Sequence, residues 1–265
     1  MNHPFSFLLK PTVLLLTLAT ANAATVTVST NFAALPDGPV TQAALNGVTS
    51  GGTWFWPNRG ATYEIQDDNG DKAVLADDLS GNGGVITLIA LTASAANAVD
   101  LTTHIGTFNF RTGTRRTGND KGLRYQFVNQ DNSAIIATLD WLHNGNQLVL
   151  NAGALDEHSV TQGVGERFSS SFLGAWDADS DDIYDVSVTF SGSTVTATFG
   201  SETLTSSFLN PATDIGRLQV QTIGSATAAK GAFLDDVTLS ATLIPEPSIG
   251  ILALLGLGTL LRRRR

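Results

Sequence analysis

The chain of 265 residues contains no cysteine. This absence excludes disulfide bonds as a source of stability and removes thiolates from any metal site. Histidine is scarce as well, and His104, His143 and His158 lie far apart without the spacing of metal ligands. A folded domain of this composition must therefore be stabilised by its apolar core, with a bound metal ion as a further means.

Positive charge is also in short supply, with 15 Lys and Arg against 24 Asp and Glu and a net charge of −9. Lys10 and the four terminal arginines supply five of those cations at the two ends, so the remaining chain is more acidic still. Nucleic acids and anionic membranes attract clustered cations, and we exclude both as partners of this acidic body. Calcium is the first metal to consider for an acidic chain without disulfides.

Short catalytic motifs are missing. The sequence has no Gly-x-Ser-x-Gly nucleophile motif, no His-Glu-x-x-His metal motif and no glycine-rich loop leading into a helix. These absences predict that the chain is not an enzyme and that it does not bind a nucleotide.

Helical periodicity is nearly absent, and short apolar-polar alternations between Gly, Asn, Asp and Ser take its place. Leu123, Tyr125 and Phe127 share one face of such a run, against Arg124 and Gln126 on the other. Several more runs follow the same rule, and residues 85–91 form a continuous apolar run suited to a central strand. The pattern predicts an all-β fold in which two antiparallel sheets pack as a β-sandwich of the jelly-roll kind.

Two turns support antiparallel hairpins. Asn144-Gly145 separates two alternating runs, and such a pair favours a type I′ turn because both residues tolerate positive φ. Ser191-Gly192-Ser193 separates the run from Tyr184 from the run that ends at Phe199.

The first 23 residues read as a secretory signal peptide. A charged start with Lys10 precedes the apolar run Val13 to Ala21, and Ala21-Asn22-Ala23 fits an A-x-A cleavage site. Cleavage between Ala23 and Ala24 would leave residues 24–242 as one β-sandwich domain.

Residues 243–265 form a tail of three parts in fixed order. The parts are Pro245-Glu246-Pro247, the apolar run Ile249 to Leu261, and a cluster of four arginines, Arg262, Arg263, Arg264 and Arg265. The prolines end regular pairing and leave an extended, accessible connector. As a helix the apolar run is about 20 Å long against a hydrocarbon core of about 30 Å, so it spans only a thinned bilayer. The arginine cluster predicts that this end remains cytoplasmic.

This order of motifs resembles the PEP-CTERM sorting signal of Gram-negative bacteria. The resemblance implies an exosortase, a membrane cysteine protease, as a partner that removes the tail. It also implies a protein that is anchored in the membrane by its C-terminal helix before processing, and that then resides in the cell envelope or outside the cell.

The body resembles concanavalin A-like or laminin-G-like jelly rolls of bacterial surface proteins. The resemblance rests on Leu45-Asn46-Gly47 leading to Gly51-Gly52-Thr53-Trp54, on the hairpin from Tyr184 to Phe199, and on the closing segment Leu234 to Leu239. It implies carbohydrate binding and, through an Asp of the closing strand, a structural calcium ion. The Glu-x-Asp-x-Glu motif of laminarinase-type enzymes is absent.

Asp177, Asp179 and Asp181 alternate as in the first half of a calcium loop. The run departs from the EF-hand because Asp182 replaces the glycine and Val188 replaces the bidentate Glu. A solvated turn and a calcium loop of another kind both remain open.

Asp235 is a second candidate calcium ligand. The period of two places it on the same face as Phe233, Val237 and Leu239, which predicts a core-facing carboxylate. Such a group needs an arginine, backbone amides or a calcium ion as its partner.

Trp54 and Trp56 are candidates for stacking on a sugar ring. They alternate with Phe55, so either the tryptophans or the phenylalanine must point outward. Core packing is the alternative role for each tryptophan.

Together these observations predict an exported, exosortase-processed envelope or matrix protein with a structural or glycan-binding β-sandwich, whose partner is an exopolysaccharide or another glycan. The alternative is a secreted carbohydrate-active enzyme of concanavalin-like fold.

Overall fold

The computed structural model describes residues 23–56, 61–68, 71–78, 84–116, 122–142, 147–152, 165–169, 184–207, 214–224 and 230–244. Within these ranges no helix is long and apolar enough to cross a bilayer.

Several predicted features lie outside the described residues, so the structure does not test them. They are the signal peptide up to Asn22, the turn Asn144-Gly145, the candidate calcium ligands Asp177, Asp179 and Asp181, the motif Pro245-Glu246-Pro247, the apolar run Ile249 to Leu261, and the cluster of Arg262, Arg263, Arg264 and Arg265. The sorting route therefore stays a prediction from sequence.

The described residues are mostly β-strand. A 3-10 helix at Phe32–Ala34 and a short helix α1 at Gln42–Gly47 are the helical segments among them. In chain order the strands are β1 (Thr25–Thr30), β2 (Gly38–Pro39), β3 (Thr49–Ser50), β4 (Gly52–Phe55), β5 (Ala61–Asp68), β6 (Asp71–Asp78), β7 (Gly84–Ala93), β8 (Val99–Asp100), β9 (His104–Arg116), β10 (Gly122–Val128), β11 (Ile135–Leu142), β12 (Gln147–Ala152), β13 (Gly165–Ser169), β14 (Tyr184–Ser191), β15 (Thr194–Phe199), β16 (Glu202–Ser207), β17 (Asp214–Ile215), β18 (Arg217–Gly224) and β19 (Lys230–Leu243).

The strands form two large sheets and one small one. A ten-stranded sheet has the order β16-β15-β14-β9-β19-β6-β5-β2, with β1 paired to β19 and β3; a seven-stranded sheet has the order β13-β12-β11-β10-β18-β7-β4; β17 pairs with β8. Every pairing among the described residues is antiparallel. The predicted all-β, antiparallel two-sheet fold is confirmed.

The core lies between the two large sheets and is rich in aromatic rings. Phe108 of β9 contacts Phe127 of β10 with ring centroids 5.7 Å apart, and Phe199 of β15 contacts Trp141 of β11 at 5.2 Å. Because side chains alternate along a strand, the residues next to these rings point away from the core. The residues that alternate with the core positions of β10 therefore belong to the outer face of the seven-stranded sheet.

Two further local strand predictions are confirmed besides that of β10. The residue run 85–91 lies within β7, which has β18 on one side and β4 on the other. Strands β14 and β15 form the predicted hairpin, and Gly192 in its turn has φ 58°, which a glycine adopts without steric cost.

The predicted face of Asp235 is wrong because the closing strand contains a bulge. Asp236 has φ 48°, and the register of β19 against β9 shifts between Asp235 and Thr238. The extra residue reverses the alternation at this point. Val237 and Leu239 therefore face the main core, whereas Phe233 packs in a small separate cluster with Ala73 and Leu75.

Candidate functional site

The outer face of the seven-stranded sheet carries two rows of polar side chains. In the first row, Gln221 of β18 lies opposite Arg124, which lies opposite Asp140 of β11. The second row runs through the next outward positions of β18, β10, β11 and β12. We call the whole set the polar face; its members are Arg124, Gln126, Thr138, Asp140, Asn151, Gln219 and Gln221.

These side chains are buried although they point away from the core. None of the seven residues is more than 9% exposed, and Arg124, Thr138 and Asp140 are 0% exposed. Polar side chains on the outer face of a sheet are usually hydrated, so burial of the whole set is unusual. Hydrogen bonds in such a setting are stronger than in water, and an unpaired polar atom is more costly.

A doubly hydrogen-bonded ion pair lies at the centre of the polar face. Arg124 Nε donates to Asp140 Oδ1 at 2.8 Å, and Arg124 Nη2 donates to Oδ2 at 2.9 Å. Burial raises the pKa of Asp140, while the two hydrogen bonds from Arg124 and its charge act in the opposite direction. Asp140 thus matches the guanidinium charge within the polar face itself.

The two glutamines of β18 are held by their amide nitrogens. Gln219 Nε2 donates to Asn132 Oδ1 at 2.7 Å, and Gln221 Nε2 donates to Thr87 Oγ1 at 3.2 Å. Asn132 lies in the turn between β10 and β11 with φ 63°, a conformation that Asn tolerates better than most residues. The turn and strand β7 thereby fix the orientation of both amides.

Three buried acceptors of the polar face have no hydrogen-bond partner among the residues that the structure describes. They are Thr138 Oγ1, Asn151 Oδ1 and Gln221 Oε1. A buried acceptor without a partner costs about 1–3 kcal/mol, and such groups are rare in folded proteins. Each of these atoms retains the capacity to accept a hydrogen bond, although none is accessible to solvent in this structure.

An apolar cluster lies on the same side of the sheet. Leu142, Val149 and Ile223 are all at most 7% exposed and pack together. Val149 is paired directly with Asp140, so the cluster adjoins the ion pair. Apolar contacts beside a few oriented polar groups are typical of small-molecule and sugar sites.

The candidate stacking residues Trp54 and Trp56 do not lie on the polar face. Trp54 is 1% exposed, packs against Phe32 and donates from Nε1 to Thr49 Oγ1 at 2.9 Å, so its ring faces no ligand. Trp56 is partly buried and stacks on Tyr63 with centroids 4.0 Å apart, which covers one ring face. Phe55 is the residue that points outward, at 50% exposure.

Asp235 lies on the outer face of the other sheet and is 3% exposed. Its Oδ2 accepts a hydrogen bond from Arg111 Nη1 at 3.1 Å, and its Oδ1 accepts one from the Asp236 N–H at 2.8 Å. Burial raises the pKa of Asp235, and the charge of Asp236 raises it further. The hydrogen bonds from the Asp236 N–H and Arg111 and the charge of Arg111 lower it, but by less. Among the residues that the structure describes, no three acidic or histidine side chains converge on one point.

A shallow groove of about 320 Å³ lies beside Arg111 on that outer face. Asn109, Asp185, Ser187 and Asp236 are among the residues that line it. Arg111 also approaches Asp185, with 3.7 Å between Nε and Oδ1. The groove is open to solvent, in contrast to the polar face.

Sequence reasoning recognised the alternation of β10 but missed the polar face as a site. Arg124 and Gln126 alternate with core residues, and so do Gln219 and Gln221 in β18. The sequence shows that alternation. It does not show that these side chains are buried, or that strand pairing assembles four strands into one surface.

No protein-family model matches the sequence, and no curated protein sequence matches it. The fold is similar to that of several solved structures. The CBM2 module of an evolved Dit protein from Lactobacillus casei BL23 phage J-1 has 13% identity and a TM-score of 0.52, covering 85% of this chain and 99% of that one. The potassium-bound carbohydrate recognition domain of Emp46p has 9% identity and a TM-score of 0.51, covering 80% and 95%. The alginate lyase AlgAT5 of polysaccharide lyase family 7 has 12% identity and a TM-score of 0.49, covering 82% and 95%.

The prediction that the chain is not an enzyme needs correction. Alginate lyases occur repeatedly among the solved structures that resemble it, at 10–13% identity. At that level the similarity concerns the fold, so it assigns no activity to this chain. Missing short motifs are no ground for excluding an enzyme, because an active site can be assembled from residues far apart in the sequence. The similarity at TM-scores above 0.5 shows a shared fold alone.

Proposed function

We propose that this protein is an exported glycan-binding β-sandwich protein and that the polar face is its binding site. The observation that carries the proposal is the set of three buried acceptors that lack a partner among the described residues, Thr138 Oγ1, Asn151 Oδ1 and Gln221 Oε1. A glycan offers many hydroxyl donors at short intervals, and it can satisfy several such acceptors at once. The carbohydrate-related names of the structural neighbours agree with this choice.

Three kinds of group contribute to binding at the polar face. The unpaired acceptors receive sugar hydroxyls, and the Arg124–Asp140 pair provides a rigid floor whose charges are matched. The adjoining cluster of Leu142, Val149 and Ile223 contacts the C–H surface of a ring. Because the acceptors are withdrawn from water, a glycan reaches them only when this face opens. Association is therefore expected to be slower than on an exposed platform.

The test compares two buried threonines in nearby strands. Thr138 and Thr222 are both 0% exposed, and neither hydroxyl has a partner within the described part of the chain, but Thr138 lies on the polar face and Thr222 points into the core beside Leu123. Replacing either by the isosteric Val removes an unpaired hydroxyl, so neither change should lower the free energy of unfolding. On this proposal, Thr138→Val weakens glycan binding about fivefold or more, whereas Thr222→Val leaves it unchanged.

The measurement starts with a glycan array on residues 24–242, run with and without calcium. Titration calorimetry with the best-bound glycan then compares the wild type with both variants. Equal effects of Thr138→Val and Thr222→Val on affinity would rule out the polar face. A loss of binding without calcium would support the calcium ion proposed at Asp177, Asp179 and Asp181 or at Asp235. Mass spectrometry of the bound glycan after incubation tests for cleavage, the outcome expected of a carbohydrate-active enzyme.

The tail supports a separate proposal about the route of the protein. The order of Pro245-Glu246-Pro247, an apolar run and the arginine cluster favours anchoring by the C-terminus, exosortase processing and delivery to the cell envelope or the extracellular matrix. Replacing Pro245 and Glu246 by alanine should block processing and leave a larger mature mass. Replacing Arg262, Arg263, Arg264 and Arg265 by serine should impair retention in the membrane before processing. An unchanged mass and unchanged fractionation in both variants would contradict the route.

A further inference from the structure

We infer that the polar face selects a neutral glycan that donates hydrogen bonds, and that it discriminates against acidic glycans such as uronates. The inference rests on the proposed function and narrows its ligand class. It follows from the chemical kind of the unpaired atoms rather than from their number.

Two of the three unpaired acceptors are amide oxygens, Asn151 Oδ1 and Gln221 Oε1, and an amide oxygen can only accept. The third, the Thr138 hydroxyl, can accept or donate. An ionised carboxylate of a uronate also only accepts. Placed against Asn151 or Gln221 it would oppose acceptor with acceptor in a site that water does not reach, whereas a hydroxyl of a neutral sugar would be matched.

The charges on the polar face agree with this preference. Both carboxylate oxygens of Asp140 accept from Arg124, so the guanidinium at the centre of the face already has its counter-ion. An acidic ligand would bury a second negative charge beside Asp140, which is costly in this setting. The net charge of −9 adds a repulsion that a neutral glycan does not meet.

Arg217 is the described residue that most favours the opposite preference. It lies at the start of β18, on the same side of the sheet as Gln219, opposite Val128 and Thr92. It is partly exposed, its Nε has no partner within the described ranges, and burial lowers its pKa. This cation offers an acidic glycan a binding partner, so its replacement helps to distinguish the two ligand classes.

The experiment measures the affinity of the wild type for hexasaccharides of glucose or mannose and for hexasaccharides of galacturonate or guluronate, at low and high salt. The same titrations are made with two variants. Gln221→Met removes an acceptor at nearly constant volume, and Arg217→Gln removes the positive charge of Arg217. We expect a neutral hexasaccharide to bind at least about tenfold more tightly than its uronate counterpart, with little change between the two salt concentrations. Gln221→Met should weaken that binding about fivefold or more, and Arg217→Gln should leave it unchanged.

The outcomes separate the inference from the proposal on which it rests. Tighter binding of a uronate, lost in Arg217→Gln and at high salt but retained in Gln221→Met, would overturn the inference and leave a glycan-binding protein. Failure of every hexasaccharide and of the array to bind would overturn both. The ratio of neutral to uronate affinity in the wild type decides the inference even where a variant does not fold.

Discussion

The outer faces of the two sheets carry the same residue types in opposite settings. On the ten-stranded sheet, hydroxyls lie side by side on neighbouring strands, as in Thr107 with Thr189 at 3.2 Å and Thr196 with Thr205 at 3.4 Å. These residues are half-buried or exposed, so their hydroxyls are accessible to water. On the seven-stranded sheet, the hydroxyl of Thr138 is buried and has no partner among the described residues. Burial rather than composition therefore distinguishes a solvated surface from one whose polar atoms lack partners among the described residues.

The two Arg–Asp pairs repeat this contrast. Arg124 and Asp140 are 0% exposed at the side chain and share two hydrogen bonds, at 2.8 and 2.9 Å. Arg111 is 28% exposed at the side chain and donates a hydrogen bond of 3.1 Å to Asp235, whose side chain is 4% exposed. A buried charge that loses its partner is much more costly than a hydrated one. Both aspartates are buried, but Arg111 is partly hydrated and Asp235 has a second hydrogen bond from the Asp236 N–H. Losing the arginine should therefore cost more on the seven-stranded sheet.

The largest effect is expected for Arg124→Met. The change leaves the Asp140 carboxylate buried without its counter-ion, which typically costs about 3–5 kcal/mol in free energy of unfolding. Urea unfolding followed by circular dichroism measures the loss. Arg111→Met is the comparison on the ten-stranded sheet. It also leaves a buried carboxylate, but Asp235 keeps the hydrogen bond from the Asp236 N–H, so the loss should be smaller than in Arg124→Met.

The double variant Arg124→Met, Asp140→Leu sharpens this test. Replacing both charges by apolar groups removes the unpaired carboxylate, so most of the lost stability should return. Equal losses in Arg124→Met and Arg111→Met would show that the two faces do not differ as the burial indicates.

The alternation of residues predicted one face of each strand well. Leu123, Tyr125 and Phe127 face the core as expected, because a period of two is a local property of an extended chain. The same rule failed at Asp235, where one residue with positive φ, Asp236, inserts a bulge that the side-chain pattern does not reveal. A rule that counts residues along a strand cannot detect an extra one.

The candidate site was less predictable than the fold. Trp54 suited a sugar platform by residue type, but its position in β4 places the ring inside the sandwich. The acceptors of Thr138, Asn151 and Gln221 come from three different strands, and their burial depends on tertiary packing. Local sequence contains neither piece of information.

A smaller effect is expected from the pH dependence of Asp235→Asn. The pKa of Asp235 is raised above its ordinary value of 3.8 in the folded protein, first by burial and then by the charge of Asp236. Below that value the carboxyl is protonated in both states, and as pH rises the unfolded chain releases its proton first. The wild type should therefore lose stability relative to Asp235→Asn as pH rises from about 4 through the folded pKa.

Thermal unfolding of both proteins across this pH range measures the difference. Asp236→Asn, made in both proteins, removes the second cause of the raised pKa. The difference in stability between the wild type and Asp235→Asn should then change less with pH. If the wild type instead becomes more stable than Asp235→Asn as pH rises, the Arg111 ion pair outweighs burial at Asp235, and the aspartates of the two outer faces differ in the direction of their pKa shifts.

The smallest effect is expected for Thr196→Val on the ten-stranded sheet. Its hydroxyl faces Thr205 at 3.4 Å in a partly exposed row, so water can replace the lost hydrogen bond and leave Thr205 satisfied. We expect a change of less than about 0.5 kcal/mol in free energy of unfolding and no change in glycan affinity. Thr138→Val, the same substitution on the polar face, should also preserve stability. Unlike Thr196→Val, it should weaken glycan binding. A loss of affinity in Thr196→Val as large as that in Thr138→Val would place the glycan on the exposed hydroxyl rows and remove the reason for assigning it to the buried face.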